Sequence, residues 1–562
     1  MKRILFHSNG AKAFTGFGKN AKNILRYLHK TGKYEVIEFA NGIQWNHPSL
    51  ELRPWKAQGS LPNNPALIQQ LNKDPQRGRA ASYGAEMIDT AIKEYKPDIY
   101  IGCEDIWAFG DYWKKPWWDK INHMIWTTLD SQPILPQAVE AAPKTKNFYA
   151  WASFAERDLK EMGHDHVGTL HGSVDTEDFY RLQNQDRKNL RSKFGLSDEF
   201  IIGFVFRNQL RKSVPNILEG FKIFKKDCPK AKLLLHTHWS EGWDIPRLIE
   251  EKGLNKEDIL TTYFCSACGE YEVRPFTGQE QNCRFCGTEK SLNTTNVKAG
   301  VNEEQLNEIY NLMDVYCHPF TSGGMEIPIF EAKMTELVTL VTNYSCGEDS
   351  STVESGSFSL DWSEYREPGT QFIKASTYPS SIAKQLKKVW QMDELKRLQM
   401  GRKGREWTIE NYSIEAVGKK LEEILDAMPS VDYDFNLETE ENKGLNLEDL
   451  LDAGKRIAVV MPESAGDVLW INSLMKNMKK MYPEFDIYVF TKPQFFDYIE
   501  DHPAVHKVLP YSEQIDNLHF LEGKGNHKGY FDMAFLPHYG TQRLHNYHHN
   551  GLDETQFELY EN

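Results

Sequence analysis

Long apolar runs are missing from this chain. No stretch approaches the roughly 18 consecutive apolar residues that a membrane-spanning helix needs, and the opening MKRILFHSNG is too short in its apolar part for a signal peptide. Both absences lead us to expect a cytoplasmic protein. Positive charge is also scarce: 66 Lys and Arg stand against 80 Asp and Glu, a net charge of −14. That balance disfavours a protein that coats nucleic acid non-specifically and leaves room only for a local basic groove. Cysteine is sparse too, with eight in 562 residues, so no disulfide framework is expected. Cys103, Cys228, Cys317 and Cys346 are scattered in apolar or loop settings, where a buried reduced thiol is the ordinary reading. With 40% hydrophobic and 26% charged residues, the composition is that of a soluble globular protein of two to four domains.

What the chain does have is alternation of strand and helix patterns. Arg3 to Phe6, Tyr34 to Phe39, Asp98 to Gly102 and His123 to Thr128 read as strands with helical stretches between them, which predicts a parallel sheet. Gly10, Gly16 and Gly18 lie in the loop after the first strand, a weak signal alone because any Rossmann-like domain needs a tight turn there. The stretch VYCHPFTSGGMEIPIFEAKMTELVTL (Val315 to Leu340) is more informative. An apolar run meets a turn with Gly323 and Gly324, and Pro328 then opens a helix, so that bare backbone and free N–H groups face an anion. Upstream, GFVFRNQLRKSVPNILEGF ends an apolar strand on Arg207 and places Lys212 five residues later. Two cations at a strand end make a clamp for a diphosphate.

Together with the piece HGSVDTEDF (His171 to Phe179), these motifs resemble the nucleotide-sugar half of family-four retaining glycosyltransferases, whose GT-B fold is two facing Rossmann-like domains. The resemblance covers about residues 1–428. It implies that Arg207 and Lys212 hold the donor diphosphate and supply the charge a divalent metal would otherwise bring. It also implies that Glu331 accepts hydrogen bonds from the ribose, and that the TGFG turn with Gly16 and Gly18 faces the donor across a cleft. The family usually carries two glutamates eight positions apart here. Counting back from Glu331 gives Gly323, and Glu326 reaches that place only by a local shift. Near the end of the His123–Thr128 strand, where the family often has a histidine by the reacting sugar carbon, this chain offers Asp130, which reads equally as a helix cap. Cys103-Glu104-Asp105 ends the preceding strand. The tryptophans 107, 113, 117, 118 and 126 suit either sugar stacking or core packing. His236 and His238 lack further ligands at metal-binding spacing.

CSAC and CRFC, with fourteen residues between them, place Cys265, Cys268, Cys283 and Cys286 in a zinc-ribbon pattern. Four thiolates close a tetrahedral structural site with no open position. The ribbon staples a loop; Arg274, Arg284, Phe276 and Phe285 also suit an arm that holds an acceptor polymer. The expected organisation is an acceptor-side domain (1–185), a nucleotide-sugar domain (186–395) with the ribbon inserted at 261–292, and closing helices (396–428). An acidic linker (429–454) and a small α/β module (455–562) follow. The module's Gly466-Asp467-Val468-Leu469 resembles the first turn of heptosyltransferases, and Asp467 is expected as a cap or relic; the module itself suits recruitment or homo-oligomerisation. The expected activity is sugar transfer from a UDP- or GDP-sugar to a hydroxyl of a glycan or of a hydroxylated DNA base, with retention. The competing reading is a nucleotide-sugar-binding scaffold without turnover.

Overall fold

The computed structural model describes residues 1–13, 15–296, 300–435, 447–524 and 527–538. The chain divides into two units, Met1–Phe435 and Asn436–Asn562. In the first unit, β1 (Lys2–Asn9), β2 (Tyr34–Gln44), β3 (Lys56–Leu61), β4 (Ile99–Gly102), β5 (Asn122–Thr127), β6 (Asn147–Ala150) and β7 (Gly168–Thr169) form a parallel sheet in the order β3-β2-β1-β4-β5-β6-β7. Runs such as Ile4-Leu5-Phe6 and Ile99-Tyr100-Ile101 are fully buried, as a parallel sheet covered on both faces requires.

A second sheet repeats the plan. β8 (Phe200–Val205), β9 (Ala231–His236), β10 (Ile259–Cys265), β14 (Val315–His318), β15 (Thr339–Thr342) and β16 (Ser357–Leu360) are parallel in the order β10-β9-β8-β14-β15-β16. Each sheet reverses its strand order once, between β1 and β4 and between β8 and β14. A crevice opens outside the carboxyl ends of strands at such a switch point, and both crevices belong to one cleft. β10 runs on past the sheet. Ile259 to Thr261 pair with β9, whereas Tyr263 to Cys265 pair with β13 (Leu292–Thr294), and β11 (Tyr271–Pro275) lies along the other edge. With β12 (Glu280–Gln281), these antiparallel strands form the four-cysteine ribbon as a continuation of the domain's own sheet.

A hairpin and a pair of helices help to tie the domains together. A hairpin of β17 (Trp362–Arg366) and β18 (Ile373–Thr377) meets the first domain where the Ile373 N–H donates to the Gln132 carbonyl at 2.7 Å. The Lys374 ammonium, buried beside it, donates to Ser131 and Ser322, each at 2.7 Å. The helices Glu394–Tyr412 and Ile414–Ala427 carry the chain back, with Ser413 capping the second through a 3.1 Å bond from the Ala416 N–H. Val417, Leu421 and Leu425 join the first domain's core. A Cβ at Gly418 would come within 2.6 Å of the Tyr27 ring, so glycine is what lets this helix lie against it.

The segment expected as a solvated linker starts tied down. The Val431 N–H donates to Asp98 at 2.8 Å and the Tyr433 hydroxyl to the Pro97 carbonyl at 2.5 Å. Its middle part, 436–446, lies outside the described residues. In the second unit, β19 (Lys455–Val460), β20 (Phe485–Thr491), β21 (Lys507–Pro510) and β22 (Met533–Phe535) form a parallel sheet in the order β21-β20-β19-β22. The expected module's last stretch, 539–562, lies outside the described residues.

Candidate active site

The cleft encloses a cavity of about 790 Å³. Its second-domain wall is built on the end of β8. Arg207 lines it with its side chain half exposed and paired with Glu241 at 3.1 Å. Asn208 braces the turn, donating to the His238 and Trp243 carbonyls at 2.9 and 2.8 Å. Arg211 and Lys212 follow, and both pair with Glu326. Lys212, Glu326 and His318 are all buried, with His318 Nε2 3.0 Å from Glu326 Oε2.

This cluster has a clear charge state. Burial pushes the Glu326 carboxyl up, but Arg211, then Lys212, then the bond from His318 outweigh it and hold the group well below the usual carboxylate range. Burial takes His318 down to about 4 against the pull of Glu326, so the ring is neutral, with Nε2–H donating to the carboxylate and Nδ1 facing the Tyr316 hydroxyl at 2.8 Å. Burial and Arg211 both push the Lys212 ammonium down, and Glu326 opposes them. The sequence spacing picks out Arg207 and Lys212; the structure adds Arg211 between them and gives Lys212 a buried counter-ion that it shares with Arg211.

Glu326 also resolves the register of the glycine loop. A Cβ at Gly323 would lie 2.6 Å from Glu326 Oε1 and 3.2 Å from Arg211 Nη1. The space a side chain at 323 would need is filled by the carboxylate from 326, so a glutamate does stand over this position, anchored three residues later. Gly324 lines the cavity. A Cβ there would meet Thr128 at 2.3 Å and Asp130 Oδ1 at 2.8 Å, so glycine permits a close approach of the two domains here.

Glu331 sits one turn into the helix Ile327–Met334, buried, where its Oε2 accepts from the Tyr310 hydroxyl at 2.8 Å. Its Oε1 lies 3.3 Å from Lys19 Nζ, and that ammonium is 3.5 Å from Glu303. Glu331 above all raises Lys19, with burial opposing and Glu303 adding to the rise. Lys19 belongs to the helix Gly16–Thr31 of the first domain, whose Thr15 caps the Gly18 N–H at 3.0 Å. Gly16 lines the cavity. Gly18 serves the turn instead, because a Cβ there would fall 2.4 Å from the Ala13 carbonyl oxygen.

On the first-domain wall, Asp105 and Asp130 line the cavity at the ends of β4 and β5, and Thr128 donates to Asp105 at 2.6 Å. Burial, followed by Asp130, pushes Asp105 up to about 6, and burial, followed by Asp105, pushes Glu104 up to about 8. Trp113, Trp117, Trp118 and Trp126 are core residues, whereas Trp107 is half-buried with the Arg79 guanidinium 4.3 Å over its ring. His236 is buried against Thr262 at 3.0 Å. Among the described residues, the four cysteines are the one group placed to hold a metal ion.

Those cysteines sit on two matching turns. Gly269 and Gly287, each just after a CxxC, take positive φ (75° and 74°) and donate to the Cys265 and Cys283 carbonyls at 2.9 Å. Backbone N–H groups of Cys268 and Phe285 point at Cys265 and Cys283 sulfurs, at 3.5 and 3.4 Å. The sulfurs of Cys265 and Cys286, and of Cys268 and Cys283, are 3.8 Å apart. A tetrahedron with metal–sulfur bonds of about 2.3 Å has edges of about 3.8 Å, whereas a disulfide needs about 2.05 Å. The donor set fits a tetrahedral thiophilic ion. Arg274 and Arg284, which suit an acceptor-holding arm, both pair with the buried Glu272, at 2.5 and 2.6 Å, and the Arg284 side chain stays 65% exposed. Phe276 stacks on Trp239 at 4.2 Å, which leaves Phe285, 45% exposed, as the outward aromatic of the four residues named above.

No protein-family model and no curated protein matches the sequence. Solved structures do match. HepE from Anabaena in complex with UDP superposes with a TM-score of 0.51 at 13% identity, covering 76% of this chain and 100% of that one. A glycosyltransferase from Rickettsia africae gives 0.51 at 15%, covering 76% and 98%. TarM from S. aureus, in complex with Fondaparinux, alpha-GlcNAc-glycerol and UDP, gives 0.51 at 10%, covering 76% and 100%. This chain has the GT-B fold.

Proposed function

We propose that the chain is a glycosyltransferase that moves a sugar from a nucleoside-diphosphate sugar to a hydroxyl acceptor, with retention as its resemblance to family four implies. The observation that carries this reading is one cavity at two strand-order switch points, with Arg207, Arg211 and Lys212 on one side and Glu331 reachable on the other. A cationic end and a carboxylate end suit the diphosphate and the ribose of one ligand. HepE and TarM, similar in fold, were solved with UDP, which supports the same class of donor here. The Glu241 partner of Arg207 is a surface pair and costs little to exchange for phosphate oxygens. As the bond from sugar carbon to phosphate oxygen breaks, negative charge grows on the leaving diphosphate, and this cationic wall stabilises it. Asp130 stands on the opposite wall, where the acceptor hydroxyl enters.

Zinc is the ion proposed for the four cysteines, about one equivalent per chain, and a reducing cytoplasm is where such thiols persist. The second unit is proposed as a recruitment or self-association module, supported by Trp470 and Leu469, each about half exposed on the helix Ala465–Met481 (53% and 50%). The test is nucleotide release from a panel of UDP- and GDP-sugars, with glycans and DNA carrying hydroxylated bases offered as acceptors. Release from at least one donor is expected. Binding of nucleotide without release from any donor would assign the scaffold reading instead.

A further inference from the structure

The ribbon and the cleft meet in a single helix, Glu303–Leu312. One face of it serves the cleft: Leu306 lines the cavity, Glu303 pairs with Lys19, and Tyr310 holds Glu331. The adjoining face serves the ribbon. Gln305 Nε2 donates to the Gly269 carbonyl at 2.8 Å, immediately after the ligand Cys268, and the Tyr271 hydroxyl of β11 donates to Glu308 Oε2 at 2.5 Å. Gln305 is at the same time half of the helix's capping box, its Oε1 accepting from the Asn302 N–H at 3.1 Å. The ribbon's last strand also feeds the cleft directly, since Thr295 and Asn296, just past β13, line the cavity.

At its cysteine end the ribbon has little burial to hold its shape. Its apolar cluster is Tyr263, Cys265, Cys283 and Leu292, with Phe276 packed beside it, and two of those are metal ligands themselves. β12 and β13 are two and three residues long, and hairpins that short need a staple. The energy of metal binding in such a module is its folding energy.

We propose that the metal-loaded ribbon is a positioning device for the donor site: ion binding at the four cysteines fixes the helix Glu303–Leu312, and Tyr310 and the Glu303–Lys19 pair then set the Glu331 carboxylate. The proposal rests on the donor reading of the cleft, and goes beyond it by making donor affinity depend on a metal that touches no substrate. Gln305 and Tyr271 are its positioning residues.

The test uses the full chain. Zinc is removed with a chelator and restored, while hydrogen exchange of 303–312 and calorimetric affinity for UDP and GDP are followed. Removal should speed exchange in that helix and weaken the better-bound nucleotide by about tenfold, the loss of one good hydrogen bond's worth of positioning, and added Zn²⁺ should reverse both. The double variant Tyr271→Phe, Gln305→Ala keeps the cysteines intact. It should retain its zinc, bind nucleotide about tenfold more weakly, and no longer respond to the chelator. A fully structural role would leave it responding as the wild type does. Unchanged exchange and affinity on zinc removal, or wild-type affinity in the zinc-loaded double variant, overturns the proposal. If zinc-loaded wild type binds neither nucleotide, the donor reading is what fails, and the exchange of 303–312 still decides the brace.

Discussion

The second domain and the C-terminal unit open alike: an apolar strand, a short turn, a helix, and a second strand laid beside the first. Their sheets share a central order, β9-β8-β14 in one and β20-β19-β22 in the other. What sits at the switch point differs. In the second domain it is the buried Lys212, Glu326 and neutral His318, with the half-buried Arg211 paired to the same carboxylate, beside a large cavity. In the C-terminal unit it is Ser464, whose hydroxyl donates to Asp467 at 2.6 Å while accepting the Asp467 N–H at 3.4 Å, and His538, 2.9 Å from Asp516 and 3.3 Å from Glu463. Carboxylates repel a diphosphate, and the one proton Ser464 could donate to it is already given to Asp467. The two openings share a topology, and their charges differ: a cationic wall stands in one and carboxylates in the other.

The largest effect should come from breaking the buried set. Glu326→Ala leaves Lys212 without its counter-ion, at a cost of about 3–5 kcal/mol in the stability of that domain by chemical denaturation. The pH dependence follows from the depressed Glu326 carboxyl. A group whose folded value lies below its unfolded value, about 4.3, contributes fully above that pH and loses its contribution as pH falls through the folded value. The gap between wild type and variant should therefore be full at pH 7 and narrow below about pH 4. A constant gap across that range would mean Glu326 acts by packing. Next in size, Glu331→Gln should weaken nucleoside-diphosphate binding by about 1.5–3 kcal/mol by calorimetry, through lost charged hydrogen bonds to the ribose. Arg207→Lys comes after it. It should cost about 1–2 kcal/mol of nucleotide affinity, because an ammonium cannot make a two-pronged contact, yet leave stability within about 0.5 kcal/mol, since Arg207 is half exposed.

Much of this was readable from the chain. Parallel strands buried on both faces appear as apolar runs, so the alternation that builds both sheets stands out, and a cation at a strand end, a glycine turn and a helix-opening proline are local signals. What was not readable depends on distance. Lys19 meets Glu331 across 312 residues, and no spacing rule reaches that far. The Glu326 carboxylate escaped a count of positions because it leans back over Gly323, where the missing side chain leaves room. The acidic composition of 429–454 suggested solvation throughout, but Val431 and Tyr433 find partners on the first domain at Asp98 and Pro97. Arg274 and Arg284 suit an acceptor-holding arm in sequence; a buried acid between the ribbon's turns pairs with both, while the Arg284 side chain stays 65% exposed.

The smallest effect tests the other side of the comparison. If the C-terminal switch point is only a capped helix, Ser464→Ala removes the acceptor for the Asp467 N–H and should destabilise that unit by about 1 kcal/mol. Asp467 should take over part of the role, since a carboxylate in the first turn still faces the positive end of the helix dipole, a contribution of about 0.3–1 kcal/mol. Asp467→Asn should accordingly cost less than Ser464→Ala, and the two together somewhat more than either. Nucleotide affinity and turnover should stay at wild-type values in all three variants. A loss of turnover with unchanged stability in Asp467→Asn would give this crevice a chemical role after all, and the contrast between the two strand–turn–helix openings would then lie in which substrate each one holds.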